Sequence, residues 1–124
     1  MGSRLWMVGE LHLIERGSVV LVVLDPTLGH EQKGRRPAII VSDPAVISAQ
    51  RYPLVAVVPA TGTPGVGALY PPLQPGPSGL HKPSFAMVDQ VRSVDKRRIV
   101  RAFGTVATEE MQAIDEGLRL FLGL

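Results

Sequence analysis

The sequence predicts a mainly β domain, a small barrel or curled antiparallel sheet with a C-terminal helix packed on it. Apolar runs rich in Val and Ile recur along the chain, and turns rich in Gly, Pro and Asp separate them. The C-terminal segment instead repeats its apolar residues every three or four positions, which is the period of an amphipathic helix. We find no internal repeat and no boundary between two folded domains.

The predicted strands are the apolar runs themselves, since β-branched side chains pack well on a pleated surface. A single helical turn is predicted at Pro44–Gln50 and another at Asp95–Ile99. In chain order, the strands are predicted at Ser18–Leu24, Pro37–Ser42, Leu54–Pro59, Phe85–Val88 and Val100–Val106.

The C-terminal helix is predicted from its caps and its apolar stripe. Thr108 is the expected N-cap, because a Thr hydroxyl accepts a hydrogen bond from a free N–H of the first turn. Glu109 and Glu110 favour the positive end of the helix dipole, and Arg119 lies near the opposite end. The stripe that we expect to dock on the sheet consists of Met111, Ile114, Leu118 and Phe121.

Residues 62–83 are too rich in Gly and Pro for a central strand. We predict long loops there, with at most an edge strand near 68–73. Such loops either cover a binding groove or simply connect strands, and the sequence supports both interpretations equally.

Length and composition bound the class of protein. The chain has 124 residues, enough for one domain with a sizeable core; we assign residues 17–124 to it and treat residues 1–16 as an N-terminal extension of uncertain role. The sequence contains no Cys, which excludes disulfides, thiolate zinc sites and cysteine nucleophiles. No signal peptide or apolar stretch of ~20 residues is found, which predicts a soluble, cytoplasmic protein.

Charge is distributed unevenly along the chain. Between residues 33 and 101, ten Lys and Arg residues stand against three acids, although the net charge of the chain is only +2. The C-terminal helix is acidic by contrast. A basic middle favours a polyanion or an acidic partner, and an Arg-rich solvated surface is the alternative.

The richest cluster of chemical groups lies in the polar loop between the first two predicted strands. Loops held by rigid strands concentrate binding and catalytic groups. Arg35 and Arg36 offer guanidinium forks for a phosphate. His30 and Glu31 are candidates for proton transfer near neutral pH. The same loop carries Gln32 and Lys33.

Two further predicted strand ends carry polar groups. Thr61 offers a hydroxyl at the end of the third predicted strand, with Thr63 beside it. Asp89 and Gln90, after the fourth predicted strand, form a carboxylate–amide pair that suits hydrogen bonding to base edges. Convergence of these strand ends with the cationic loop would suit cleavage of a phosphodiester. Taken singly, each residue also fits a structural role, such as a turn, a strand-end cap or a surface ion pair.

Three other sites are poorly supported. The glycine spacing of Gly29–Gly34 matches a phosphate-binding P-loop, but that motif requires Lys and then Ser or Thr entering a helix, whereas a strand follows here. His12, His30 and His81 show no metal-ligand spacing, so we expect no metal and no cofactor. The nucleophile elbow of serine hydrolases is missing from the sequence.

The motifs of this chain resemble those of the MazF/PemK (Kid-like) toxin family of type II toxin–antitoxin systems. The ordered run from Asp25 to Pro37 is specific, because the Asp89-Gln90 pair and the same terminal helix follow it. The resemblance covers roughly Arg16 to Leu124. The matching segments are Gly17–Val20, Leu24–Ser42, Val58–Thr61, Met87–Lys96 and Glu110–Leu122.

The resemblance implies an SH3-like barrel of antiparallel strands, of the CcdB/PemK type, that forms a homodimer. It implies metal-independent, sequence-specific cleavage of single-stranded mRNA, in which a 2′-hydroxyl attacks the adjacent phosphorus and leaves a 2′,3′-cyclic phosphate and a 5′-hydroxyl. It also implies a cognate antitoxin, which we expect to lay an acidic, partly disordered segment across the RNA groove.

By motif position, Arg36 and Thr61 resemble the catalytic pair of the family. His30, Glu31 and Gln32 stand where members line the active groove. Because aromatic residues that could stack on bases are scarce, we expect base choice to depend on Gln32, Asp89 and Gln90. All the positions expected to contact RNA are Gln32, Lys33, Arg35, Thr63, Asp89 and Gln90.

Two departures from the family limit what is carried over. Val23 stands where members often have an acid, and Met87 stands where some have an Arg. Arg36 is a poor general base, because a guanidinium stays protonated in proteins. We therefore expect it to stabilise charge while His30 or Glu31 moves protons; proton transfer by Arg36 itself stays open.

Two alternatives to the nuclease remain open from sequence. A CcdB-type toxin shares the barrel but acts by gripping DNA gyrase and needs no catalytic groups. A growth-neutral RNA-binding domain would bind RNA without cutting it. The nuclease depends on one geometric expectation, that Arg36 and Thr61 reach the same scissile phosphorus.

Overall fold

The computed structural model describes residues 14–24 and 34–124, which fold into a curled antiparallel sheet and a C-terminal helix. The strands are β1 (Ser18–Val23), β2 (Arg35–Ile40), β3 (Leu54–Thr61), β4 (Pro72–Leu73), β5 (Ser84–Ala86), β6 (Arg92–Asp95) and β7 (Ile99–Thr105). The helices are α1 (Pro44–Ser48) and α2 (Thr108–Leu122), and 3-10 turns lie at Val88–Gln90 and Lys96–Arg98. Across the sheet the order is β4-β5-β3-β2-β1-β7, and β6 pairs with β3. The predicted mainly β class is confirmed.

Strand β3 bends the sheet because one of its edges changes partner halfway along. Leu54–Val57 pairs with β6, whereas Ala60 and Thr61 pair with β5. Pro59 lies between the two pairings, where the missing N–H of proline removes a ladder donor. Its carbonyl accepts a hydrogen bond from the Met87 N–H at 2.8 Å. Strand β3 therefore connects β6, which pairs with its first half, to β5, which pairs with its last two residues.

The curled sheet buries apolar side chains on both faces, since successive residues of a strand point to opposite sides. Val20 and Val22 of β1 belong to one buried cluster, together with Ile40 of β2 and Ile47 of α1. Val19 belongs to the cluster on the other face, beneath α2. Burying a Val or Ile contributes roughly 1.5–3 kcal/mol, so both clusters stabilise the curl. The second cluster also contains Ile39, Val58, Leu73, Val88 and Ile114.

Helix α2 begins differently from the prediction. Its N-cap is Ala107, so the prediction of Thr108 as the N-cap is wrong by one position. The carboxylate of Glu110 accepts a hydrogen bond from the N–H of Ala107 at 2.9 Å, which is the half of a capping box that needs no hydroxyl at the N-cap. The helix ends at Leu122, and its C-cap Gly123 has a φ of 74°, a left-handed conformation that glycine adopts without steric cost. None of the described helices is long and apolar enough to cross a membrane.

The apolar stripe of α2 docks on the sheet along most of its length. Ile114 is fully buried, and Met111 and Leu118 pack against the same cluster. Phe121 is 45% exposed, so the last helical turn extends beyond the sheet. Beside the stripe, Arg16 donates to both carboxylate oxygens of Asp115, at 2.8 and 3.3 Å.

Segment 62–83 packs against the sheet and contributes β4 at the sheet edge, where an edge strand was predicted. Ser78 is buried, and the Pro77 carbonyl accepts a hydrogen bond from the Thr105 N–H at 3.2 Å. A Cβ built at Gly104 would lie 2.0 Å from that carbonyl oxygen. Since glycine alone allows this close approach, the segment forms a wall beside β7.

Between the strands, the structure confirms two predictions and corrects one. The predicted single helical turns are present as α1 and as the 3-10 turn Lys96–Arg98. Asp89 and Gln90 were expected to end a strand, but β5 stops at Ala86 and both residues lie in a 3-10 turn. Strand β6 was not predicted at all.

Candidate active site

Strands β2 and β3 bring the two predicted catalytic residues to neighbouring positions. Their register pairs Ala38 with Pro59, and continuing it by two residues places Arg36 opposite Thr61. Residues directly opposite on antiparallel strands point to the same face, with Cβ atoms ~5 Å apart. The other edge of β2 holds Arg36 against Val22 of β1, so the backbone beneath the guanidinium is fixed by the sheet.

Arg36 and Thr61 lie where two clefts meet, because each of them lines both clefts. The first cleft has a volume of about 430 Å³ and the second of about 510 Å³, within the range of ligand sites in proteins. The first cleft is also lined by Leu21, Arg35, Pro37, Ala60, Gly62, Gly79, Leu80, His81, Lys82, Ser84 and Phe103. The second is also lined by Thr63, Pro64, Gly65, Tyr70, Met87 and Gln90.

The first cleft is built for an anion. Arg35 and Lys82 add their charges to that of Arg36, and none of the described residues that line the cleft is acidic. His81 supplies an imidazole, a group that accepts or donates a proton near neutral pH. Several like charges lining one cleft raise the local concentration of an anion such as a phosphate.

Sequence reasoning did not select Lys82 or assign a role in catalysis to His81. They are the only basic residues between positions 62 and 83, a segment predicted as loop. What positions them is the packing of Gly79, at φ 83°, where an added Cβ would lie 2.5 Å from the Cβ of Phe103. The local sequence around Gly79 does not indicate this contact. The one feature of the sequence that could have drawn attention to His81 and Lys82 is that two adjacent basic residues stand in a segment without other charges.

The hydroxyl of Thr61 is oriented by its own turn. Thr61 Oγ1 accepts a hydrogen bond from the Thr63 N–H at 3.1 Å. Since a hydroxyl also carries one donor, the O–H remains able to donate toward a ligand oxygen in either cleft. Thr63, which the sequence analysis predicted to contact RNA, lines the second cleft together with Thr61.

The second cleft is less charged and carries side chains suited to base edges. Gln90 offers both an amide donor and an acceptor, and Tyr70 offers a ring. The Tyr70 hydroxyl donates a hydrogen bond to Asp89 Oδ2. This bond, followed by burial and by the charge of Asp89, raises the pKa of Tyr70. Asp89 itself lines neither cleft, and its Oδ1 is buried with no hydrogen-bond partner in the part of the chain that the structure describes.

Four predicted site residues lie outside the described residues: His30, Glu31, Gln32 and Lys33. Their roles in proton transfer and RNA contact stay predictions. The chain re-enters the described range at Gly34, whose carbonyl accepts a hydrogen bond from the Leu24 N–H at 2.7 Å. Among residues 14–24 and 34–124, no three His, Asp or Glu side chains are grouped so as to hold a metal ion.

Comparison with known proteins identifies one family. The model of the PemK-like, MazF-like toxins of type II toxin–antitoxin systems matches residues 15–122. A curated relative, "Endoribonuclease MazF9" from Mycobacterium tuberculosis (strain ATCC 25618 / H37Rv), is 35% identical over 118 residues. That alignment covers 90% of this chain and 98% of the relative.

Solved structures with the same fold come from Deinococcus radiodurans. Its MazF superposes with a TM-score of 0.73 at 25% identity, covering 91% of this chain and 99% of that one. A MazE–MazF structure from the same organism gives a TM-score of 0.72 at 26% identity, covering 89% and 96% of the two chains. This chain therefore has the fold of solved MazF proteins, as the motif resemblance implied.

Proposed function

Because the chain belongs to the PemK-like, MazF-like toxins of type II toxin–antitoxin systems, we propose that it is an endoribonuclease that cuts single-stranded mRNA without a metal ion and in a sequence-specific manner. The observation that carries the proposal is the position of Arg36 and Thr61 at the junction of the two clefts. A phosphodiester lying across that junction would have one flanking nucleotide in each cleft.

In the proposed reaction, the 2′-hydroxyl loses its proton and its oxygen forms a bond to the adjacent phosphorus. The bond from phosphorus to the 5′-oxygen breaks, its electron pair goes to that oxygen, and the oxygen takes up a proton. The products are a 2′,3′-cyclic phosphate and a 5′-hydroxyl, and no water is consumed.

Arg36 and Thr61 act on the charge that develops in this reaction. The phosphodiester carries one negative charge, and the phosphorane-like transition state carries more on its non-bridging oxygens. The guanidinium of Arg36 and the hydroxyl of Thr61 would donate hydrogen bonds to those oxygens. A preorganised donor of this kind lowers a barrier by ~3 kcal/mol.

Proton transfer is assigned to His30 or Glu31, the role that their side-chain chemistry favours. Arg35 and Lys33 are assigned to the RNA backbone. Base choice is assigned to Gln32, Gln90 and Thr63, and Asp89 acts by holding Tyr70 at the edge of the second cleft.

Three further properties belong to the proposal. The protein acts as a homodimer, and it acts in the cytoplasm, where mRNA is found. A cognate antitoxin neutralises it, as the MazE–MazF pairing of the Deinococcus radiodurans relative suggests. An acidic antitoxin segment would compete with RNA for the first cleft, whose cations suit either ligand.

The family match and the endoribonuclease name of the curated relative support this function over a gyrase-binding toxin of the CcdB type. A growth-neutral RNA-binding domain is also less well supported, since it would not need a Thr hydroxyl and an Arg guanidinium at one junction.

The test is incubation of the purified protein with a pool of single-stranded RNA in EDTA. We expect discrete cuts, with cyclic phosphates at the new 3′ ends and hydroxyls at the new 5′ ends. Arg36→Ala should abolish the cuts and keep the fold, because the side chain is exposed and belongs to neither buried apolar cluster. Arg51→Ala, which removes an exposed cation that stacks on Tyr52, is the matched control and should cut normally.

Intact RNA with the wild-type protein would contradict the proposed function, and inhibition of gyrase under the same conditions would favour the CcdB type. Full activity of Arg36→Ala would remove that residue from the mechanism.

A further inference from the structure

The side chain of Lys82 ends directly over the backbone that follows Thr61. A Cβ built at Gly62 would lie 2.7 Å from Lys82 Cε and 2.9 Å from Lys82 Nζ. The ammonium therefore occupies the space that any other residue at position 62 would fill. The Lys82 side chain as a whole is exposed, but its ammonium lies against Gly62, the residue that follows Thr61.

The surroundings leave this charge available to a ligand. Lys82 forms no ion pair within residues 14–24 and 34–124, and the described lining of the first cleft offers no carboxylate. The ion pairs that the structure does show, Arg16 with Asp115 and Arg97 with Asp95, lie elsewhere. An ammonium in a cleft whose described lining carries three cations and no carboxylate favours an anion.

Two elements thus supply cations to one cleft. Arg36 comes from β2 and Lys82 comes from the segment that packs on β7, and both line the first cleft together with Thr61. The inference drawn from this arrangement rests on the proposed function, since it is the scissile phosphate that would occupy the cleft.

We propose that Lys82 is a catalytic residue of this nuclease, a second cation that binds the non-bridging oxygens of the scissile phosphate and stabilises the transition state. As the 2′-oxygen bonds to phosphorus and the 5′-oxygen leaves, negative charge builds on those oxygens. Lys82 keeps its protons throughout and neutralises that charge together with Arg36. Proton transfer from the 2′-oxygen and to the 5′-oxygen is left to other groups.

Gly62 allows the Lys82 ammonium to take this position, because glycine has no side chain that would fill the same space. Its backbone is outside the left-handed region, so alanine fits there without backbone strain. The added methyl group would meet the far end of a flexible side chain, which can swing away. Gly62→Ala should therefore displace the Lys82 ammonium and leave the fold intact.

The experiment separates catalysis from RNA binding. Single-turnover cleavage of an RNA with one cut site is measured with the protein at saturating concentration, and Kd is measured on the same RNA with a 2′-deoxy nucleotide at that site. The variants are Lys82→Gln, Lys82→Arg and Gly62→Ala, with Arg51→Gln as a charge-matched control outside both clefts. Circular dichroism and Tm verify folding.

We expect the saturated rate of Lys82→Gln to fall about 100-fold, the lower end of the loss caused by removing one donor to a transition state. Gly62→Ala should lose rate in the same direction, Lys82→Arg should recover most of it, and Arg51→Gln should stay within about twofold of wild type.

An unchanged saturated rate in Lys82→Gln, even with a weaker Kd, would overturn the inference and reduce Lys82 to a residue that binds RNA. A wild-type rate in Gly62→Ala would overturn the role of Gly62 in seating the ammonium. In both cases the wild-type protein still cuts RNA, so the proposed function survives. Failure of the wild-type protein to cut any RNA would overturn both.

Discussion

At the scale of single residues, the neighbours of Thr61 fix the place of its hydroxyl in the candidate site. Thr61 Oγ1 accepts a hydrogen bond from the Thr63 N–H, which leaves the O–H able to donate to a ligand. The motif resemblance singled out this threonine. The structure adds that the hydroxyl stands opposite Arg36 in the continued register and lines both clefts.

Removing the Thr61 hydroxyl should slow cleavage without unfolding the protein. Thr61→Val keeps the branched shape and removes the hydrogen-bond donor, so we expect a rate loss of about 100-fold, the size measured for a lost transition-state donor in other enzymes. Thr61→Ser keeps the donor and should stay within about tenfold of wild type. Single-turnover cleavage is the measurement, and equal rates for the Val and Ser variants would contradict a role for the hydroxyl.

The sequence could nominate part of the candidate site. Arg36 and Thr61 were nominated because an ordered motif surrounds each of them. His81 and Lys82 were not, because their place depends on the contact of Gly79 with Phe103, 24 positions further along the chain. Asp89 was nominated as an RNA contact, but its side chain binds the Tyr70 hydroxyl and lines neither cleft. The sequence around Asp89 does not indicate that Tyr70 is its partner.

At the scale of elements, the strands that were predicted are those whose apolar residues pack on both faces of the sheet. Strand β6 was missed because Arg92, Ser93 and Asp95 are polar, and Val94 is its one fully buried side chain. It pairs with β3 through its backbone over four positions. Pairing of that kind depends on a partner edge far away in sequence, which a local pattern does not reveal.

The end of β6 also holds a structural ammonium. Lys96 is 8% exposed, and its Nζ donates to the carbonyls of Val46, Ile47 and Ala49 at 2.8, 3.0 and 3.0 Å. These carbonyls lie at the end of α1, where a helix has acceptors without intrahelical donors. Burial lowers the pKa of Lys96. The predicted helical turns at 44–50 and 95–99 are thus stabilised by contact with each other.

Asp95 should make the stability of this region depend on pH at the acidic end. Hydrogen bonds from the Arg97 side chain and backbone hold the pKa of Asp95 at about 2, below its ordinary value of 3.8. A lowered carboxyl pKa in the folded state contributes stability above pH 3.8, and this contribution is lost as the pH falls from about 4 to about 2.

The prediction is tested with Asp95→Asn, which removes the charged acceptor. The variant should be less stable than wild type at pH 6, and the difference should shrink as the pH falls toward 2.5, measured as the free energy of unfolding in urea. Glu116→Gln, which removes an exposed carboxylate of α2, controls for net charge. A difference that stays constant across this range would contradict the proposed linkage.

At the scale of the whole molecule, the fold separates its charges. The sheet and segment 62–83 carry the cations of the first cleft, whereas α2 carries four of the eight acids among the described residues. The sequence already indicated a basic middle and an acidic end. It could not indicate that Lys82 lines the same cleft as Arg35 and Arg36, some 46 positions earlier, because that depends on the curl imposed by β3.

This separation predicts a measurable salt dependence of RNA affinity. Each phosphate contact by a cation releases condensed counterions, so log K falls with log salt by ~0.7 per contact on single-stranded RNA. Contacts by the three cations of the first cleft would give a slope of about −2 from that cleft. Arg35→Gln should make the slope shallower by about 0.7, measured by fluorescence anisotropy on 2′-deoxy-blocked RNA from 50 to 300 mM salt.

The control is Arg119→Gln, at the exposed end of α2 and outside the first cleft. It changes net charge by the same amount, so an effect of overall charge would alter its slope equally. An unchanged slope in Arg119→Gln together with a shallower one in Arg35→Gln would place the phosphates in the first cleft, because counterions are released where contact is made. Equal slopes in all three proteins would show that the RNA backbone runs elsewhere, and the cations of the first cleft would then face a different anion, such as an acidic antitoxin segment.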